Sequence, residues 1–67
     1  MQFMKSLNFT TIIAEEKSIR KASERLAITP SALNRRLLAI EEELRCPLFE
    51  RMASGVRLNT AGELFLH

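Results

Sequence analysis

Two stretches with helical patterning lie so close together that the chain must turn back on itself between them. After Ser18, whose hydroxyl is a good acceptor for the N–H groups opening a helix, Ile19, Ala22 and Leu26 fall on one face of a short helix, with Arg20, Lys21, Glu24 and Arg25 on the other. Only Ala27-Ile28 follows before Thr29-Pro30 starts another helix. Thr caps, and Pro fits the first turn, where its missing N–H costs nothing. From there Leu33, Leu37, Ile40 and Leu44 make a continuous apolar stripe. Two helices joined so tightly cannot run on in line, which predicts the sharp bend of a helix-turn-helix.

The flanking segments fit around this pair. Phe3, Leu7, Phe9, Ile12 and Ile13 give residues Gln2 to Glu16 approximate helical spacing, so a first helix is predicted there, broken by Lys17-Ser18. Pro47 ends the helical region. Leu48-Phe49-Glu50-Arg51 and Val56-Arg57-Leu58 then flank Met52-Ala53-Ser54-Gly55, which reads as a small β-hairpin. Asn59 or Thr60 caps a last helix, Thr60 to Glu63 having capping-box spacing. The predicted order is three helices, a hairpin and the start of a fourth helix, in one mainly α domain of 67 residues. A chain of this size buries only about 60% of the surface it exposes when unfolded, so stability should be modest.

Charge carries more information by position than in total. The net charge is +2, yet Lys17, Arg20, Lys21, Arg25, Arg35 and Arg36 stand against Glu24 alone between residues 17 and 36. Between residues 37 and 50, Glu41, Glu42, Glu43 and Glu50 stand against Arg45. The first stretch suits a polyanion and the second does not. Consecutive glutamates on a helix point about 100° apart and cannot converge on one ion, so Glu41-Glu42-Glu43 reads as a solvated face. Cys46 has no second cysteine to pair with, which fits a reducing compartment, and no apolar run reaches the length of a signal-peptide core or a membrane span. With Cys46 and His67 each lacking a partner in sequence, no catalytic constellation is present. The chain is expected to be cytoplasmic, to carry no cofactor or metal, and not to be an enzyme.

The run Ser18-Ile19-Arg20-Lys21-Ala22-Ser23-Glu24-Arg25-Leu26, followed by Thr29-Pro30-Ser31-Ala32-Leu33-Asn34-Arg35-Arg36-Leu37, Ile40-Glu41-Glu42-Glu43-Leu44 and Pro47-Leu48-Phe49-Glu50-Arg51, resembles the LysR-type transcriptional regulators of bacteria. The likeness continues without a gap to Ala61-Gly62, and Leu48-Phe49-x-Arg51 is its most distinctive part. The resemblance implies a winged helix-turn-helix DNA-binding domain over residues 1–58, a three-helix core with a small β-hairpin wing, and from residue 59 to 67 the start of a linker helix. It further implies a recognition helix in the major groove, pairing of protomers into homodimers through the linker helix, and a sensory domain, absent here, that binds a small effector. Double-stranded DNA with a near-palindromic operator is the expected partner, located at the nucleoid, and no membrane is expected. With little of the linker helix present, the chain alone is expected to dimerise and bind weakly. The family usually has Gly where this chain has Lys17 and Arg45, Ala at Lys21, Gln at Pro30, Ser at Asn34 and an aromatic at Thr10.

On that reading, burying the Leu33/Leu37/Ile40 stripe presents Thr29, Pro30, Ser31, Asn34 and Arg35 outward for base readout. Arg35 can donate twice to guanine O6 and N7, and Asn34 has both the donor and the acceptor that adenine requires. Thr29 and Ser31, beside the exposed N–H groups of the helix opening, are better placed for phosphate; Lys17, Ser18, Lys21 and Arg36 are further phosphate candidates, and Arg51, Ser54 and Arg57 are wing candidates. Arg51 has an equal alternative, an ion pair with a carboxylate such as Glu41 that would pin the hairpin to the third helix. Ser18 is a cap first and a phosphate ligand second. The main rival reading is a winged helix that docks a protein, with the basic stretch incidental.

Overall fold

The computed structural model describes residues 3–66, with side chains described over 8–66. Gln2, His67 and the side chains of Phe3 and Leu7, which the sequence reading used, lie outside the described residues. Helices α1 (Phe3–Glu16), α2 (Ile19–Leu26) and α3 (Pro30–Leu44) precede strands β1 (Phe49–Met52) and β2 (Gly55–Leu58), and α4 (Thr60–Leu66) follows. The strands pair antiparallel, Phe49 with Leu58 through Met52 with Gly55, so that Ala53-Ser54 is the turn. The hairpin is thus longer at its tip than the sequence patterning predicted, because Met52 and Gly55 belong to the ladder. This is a winged helix-turn-helix.

The expected caps form. Ser18 Oγ accepts from the Lys21 N–H at 3.1 Å, and Thr29 Oγ1 accepts from the Ala32 N–H at 3.1 Å, with Pro30 in the first turn. Of the two candidate caps for α4, Asn59 is used: its Oδ1 accepts from the Gly62 N–H at 2.8 Å. The core joins Ile13, Ala22, Leu33, Leu37 and Ile40 from the helices to Leu48, Phe49 and Val56 from the hairpin. Thr10 is fully buried. Leu44, placed on the core stripe by its spacing, is instead 37% exposed.

Each of the three core helices ends on a residue in the left-handed region, Lys17 (φ 57°), Ala27 (φ 58°) and Arg45 (φ 58°), and none is glycine. At Ala27 the cap is closed by N–H donation from Ala27 to the Glu24 carbonyl and from Ile28 to that of Ser23. At Arg45 the same pair runs from Arg45 to Glu42 and from Cys46 to Glu41. Carbonyls that the helix end would leave unpaired are satisfied in this way. Arg45 therefore takes the left-handed turn with its carbonyls paired and stores steric strain, since a Cβ crowds the following carbonyl in this region.

The wing is fastened at three points. The Val56 N–H donates to the Lys17 carbonyl at 3.1 Å, and Gly55 (φ 141°) lies so near that carbonyl that a Cβ would overlap it. Glu41 Oε2 accepts from the backbone N–H groups of Leu48 (2.7 Å) and Phe49 (3.4 Å). Asn59 Nδ2 donates to the Pro47 carbonyl at 2.9 Å, and the Asn59 N–H donates to that of Leu48 at 2.9 Å. Glu41 does pin the hairpin to α3, but through the backbone. The Arg51–Glu41 ion pair considered from sequence does not form; Arg51 reaches Asn34 instead.

Left-handed backbone costs roughly 1–2 kcal/mol for a residue with a Cβ, and glycine gives back part of that gain in unfolded-state entropy. Arg45→Gly should therefore stabilise the domain by up to about 1 kcal/mol, or roughly 4–8 °C in melting temperature for a domain this small. A thermal melt in which the variant unfolds at or below the temperature of the unaltered chain would contradict this account of the helix end.

Candidate nucleic-acid interface

Burial of Leu33, Leu37 and Ile40 leaves the opposite side of α3 free, and the polar residues of its first two turns occupy it. Thr29, Pro30, Ser31 and Arg35 are exposed, and Asn34 is half-buried on the flank nearest the wing. Thr29 Oγ1 and Ser31 Oγ lie 3.4 Å apart. Arg35 makes no ion pair among the described residues, and Ala32, Arg35, Arg36 and Ala39 line one shallow depression. The small side chains on either side leave both guanidiniums accessible. Sequence reasoning passed over Ala32 and Ala39, whose signal was their i+3 and i+4 spacing from the arginines.

The basic stretch is thinner in space than in sequence. Arg25 Nη1 meets Glu15 Oε1 at 2.6 Å and Glu16 Oε2 at 3.2 Å, tying α2 to α1. The hydrogen bonds it donates to Glu15 and then to Glu16 raise its already high pKa, so it stays charged but compensated. Arg20 faces Glu24 one helical turn on, at 3.8 Å and well exposed, a contact worth little. Lys17 and Lys21 are exposed with no acidic partner among the described residues, and Arg36 lies 5.2 Å above the Phe9 ring in cation–π geometry. That stack holds the Arg36 side chain against α1 while leaving its outer N–H groups open to solvent. Lys17, Lys21, Arg35 and Arg36 thus carry the uncompensated charge.

On the wing, Ser54 is exposed at the turn and Arg57 Nε donates to Glu50 Oε2 at 3.1 Å across the ladder. Arg51 Nη2 donates to Asn34 Oδ1 at 2.7 Å, joining β1 to α3. That partnership was not foreseen, since the residues are 17 apart and neither pattern points at the other. A second open depression, lined by Leu38, Glu41, Glu42, Arg45, Cys46 and Pro47, lies at the far end of α3, and its glutamates make it unsuited to a polyanion. Among the described residues no group of three or more His, Cys, Asp or Glu is arranged to hold a metal ion. Nor, among the described residues, is any helix long and apolar enough to cross a membrane.

Comparison with known proteins agrees with this geometry. A family model described as bacterial regulatory helix-turn-helix protein, lysR family, matches residues 4–63. The chain is 41% identical over 61 residues to an uncharacterised HTH-type transcriptional regulator of Azotobacter vinelandii encoded in the ibpB-leuC intergenic region, covering 91% of this chain and 42% of that protein. It is 34% identical over 62 residues to the HTH-type transcriptional regulator BudR of Klebsiella aerogenes, covering 92% of this chain and 43% of that one. Its fold matches the crystal structure of the CbnR DNA-binding domain in complex with DNA, with a TM-score of 0.89 and 32% identity over 98% of this chain and 75% of that one. The chain spans less than half the length of these two curated relatives.

The half-buried Glu41 carboxylate is the acceptor that sets the wing's angle to α3. Glu41→Ala leaves the Leu48 and Phe49 N–H groups without it and should cost about 2 kcal/mol, the range for a bond to a charged acceptor. Glu41→Gln retains a neutral acceptor and should lose clearly less. Urea denaturation of the two variants checks this, and equal midpoints for Glu41→Ala and the unaltered chain would remove Glu41 from the account.

Proposed function

Since the chain belongs to the LysR family of bacterial regulatory helix-turn-helix proteins, we propose that it binds double-stranded DNA sequence-specifically as the DNA-binding domain of a transcriptional regulator. The observation that carries this reading is the exposed N-terminal half of α3, where Thr29, Pro30, Ser31 and Arg35 stand clear of the core and Arg35 has no ion pair among the described residues. A major groove about 12 Å wide admits one helix, and these side chains are of the right length and chemistry to meet base edges there. Arg35 donates to guanine O6 and N7. Thr29 and Ser31 contribute hydroxyls at the helix opening. Lys17, Ser18, Lys21 and Arg36 contact phosphate and set the register of the domain without reading sequence. The hairpin acts as the wing, with Ser54 at its tip and Arg51 and Arg57 along its strands.

Residues 1–58 form the DNA-binding unit, and from residue 59 the chain enters the linker helix, of which α4 is the first part. In the complete regulator that helix pairs two protomers, and a homodimer reads two half-sites about one helical turn apart, hence a near-palindromic operator. A small effector acts only through a separate sensory domain. The protein works by binding and not by catalysis, in the cytoplasm at the nucleoid.

Phosphate contacts release counterions, so the logarithm of affinity falls with the logarithm of salt at a slope of about −0.9 per contact. Three charged contacts, Lys17, Lys21 and Arg36, give roughly −2.7. Lys21→Ala should weaken binding to all duplexes alike and shallow that slope by about 1, whereas Arg35→Ala should relax preference at one base position by about 1–3 kcal/mol. Fluorescence titration across salt concentrations and selection from randomised duplexes measure the two effects. Affinity indifferent to salt would favour the protein-docking alternative.

A further inference from the structure

The hydrogen bond between Arg51 Nη2 and Asn34 Oδ1, 2.7 Å long, links the base-facing helix to the wing. Arginine carries only donors, so the atom it meets must be the carboxamide oxygen, and the orientation of the amide is fixed by chemistry. Oδ1 faces β1, and the Nδ2 N–H pair is what Asn34 retains for another partner. An asparagine reads adenine by using both ends together, accepting from N6 and donating to N7. Here one of the two lone pairs of the accepting end already holds a guanidinium, whose positive charge weakens Oδ1 as an acceptor toward a second donor. An adenine amino group would have to take the remaining lone pair beside that cation, whereas a base edge that only accepts is attracted to it.

Resting on the DNA-binding reading above, we propose that Arg51 is a specificity-positioning residue. By holding one lone pair of Asn34 Oδ1 and setting a cation beside it, it biases Asn34 from an adenine reader toward a donor that selects an acceptor edge, guanine O6 and N7 or thymine O4. Asn34 is half-buried on the wing side of α3, and Arg51 is exposed on the adjoining strand. The two are therefore covered together when a duplex closes over the surface. Loss of water then strengthens a bond that is weak in the free, exposed pair. The wing thereby influences which base is read without touching it. The usual serine at position 34 has a hydroxyl that both donates and accepts by rotating, so no such fixed polarity arises; it is the Asn34 amide that creates it.

The test is selection from a randomised duplex library with the 67-residue chain and three variants, at low salt. Asn34→Ala identifies the position that Asn34 reads, as the one whose preference disappears. The unaltered chain is expected to favour guanine or thymine there. Arg51→Met, which frees the amide oxygen, should raise adenine against guanine and thymine at that position by at least about fivefold, the lower end for a bidentate contact. Asn34→Asp keeps the bond to Arg51 but has no donor, and should move the position to cytosine, whose N4 amino group a carboxylate accepts from. An adenine preference in the unaltered chain overturns the proposal. So does an Arg51→Met result in which retention of all sequences falls together with the base preference unchanged, the signature of a plain phosphate anchor. Should Arg51→Met fail to fold by circular dichroism, the unaltered chain and Asn34→Asp still decide. Retention of no duplex by the unaltered chain would sink the underlying DNA-binding reading, an outcome separate from retention with the wrong base.

Discussion

Burial of Leu33, Leu37 and Ile40 against the rest of the core decides what the molecule can present. Each fully buried aliphatic side chain contributes about 1.5–3 kcal/mol, while a domain of this size has a net stability of only about 3–10 kcal/mol. Turning α3 by a single residue rotates it about 100° and would bring the whole stripe out of the core, a loss comparable to the entire stability. The helix is therefore locked in rotation. Ser31 and Arg35 face outward, and Asn34 and Arg36 lie on the two flanks, because no other arrangement of the same sequence keeps the stripe covered. Asn34 on one flank reaches the wing and Arg36 on the other reaches Phe9 of α1.

That lock explains which features could be read from sequence. Periodicity and caps report on one element at a time, and they place α2, α3 and their capping residues Ser18 and Thr29 well. The exposed base-reading candidates on α3 follow from the same pattern. Periodicity tells which face is apolar, not how far along the helix its neighbours extend, and for that reason Leu44 has the right spacing and yet stands 37% exposed. Contacts between elements are a different kind of information. Arg25 looks like one of six cations until α1 packs beside it and supplies Glu15 and Glu16. Arg51 likewise could be assigned to a carboxylate or to DNA, but not to an amide 17 residues earlier, until the hairpin is docked on α3. Glu41 was the right residue for holding the wing with the wrong partner, since a backbone N–H leaves no mark in a side-chain pattern.

The turns that make this compactness possible carry their own strain. Lys17, Ala27 and Arg45 all adopt left-handed backbone without being glycine, and at Lys17 the same conformation directs the carbonyl toward the Val56 N–H. Strain there is offset by what it connects: the turn between α1 and α2 and the second strand of the wing share one hydrogen bond. The charges nearby point the same way as the shape. Neither α2 nor α3 has an acidic residue in its first turn, so the positive end of each helix dipole is uncompensated, and Lys17 and Lys21 add cations at the α2 opening. Such an arrangement is unfavourable for the isolated domain and becomes favourable when an external anion arrives.

Charge also distinguishes the two ends of α3. Its opening turns carry Arg35 and Arg36, while Glu42 and Glu43 are exposed in its closing turns and Glu41 is committed to the hairpin. A helix lying at full length along a groove would bring those glutamates toward phosphate, where each like-charge approach is repulsive. On the proposed function, the least costly docking is therefore end-on: the N-terminal turns enter, and the acidic turns tilt away from the backbone. In that pose the wing, fixed to α3 by Glu41 and by the Asn34–Arg51 bond, moves with the helix as one body. Tilt of the helix and reach of the wing are consequently a single degree of freedom, set within the protein before any duplex is met.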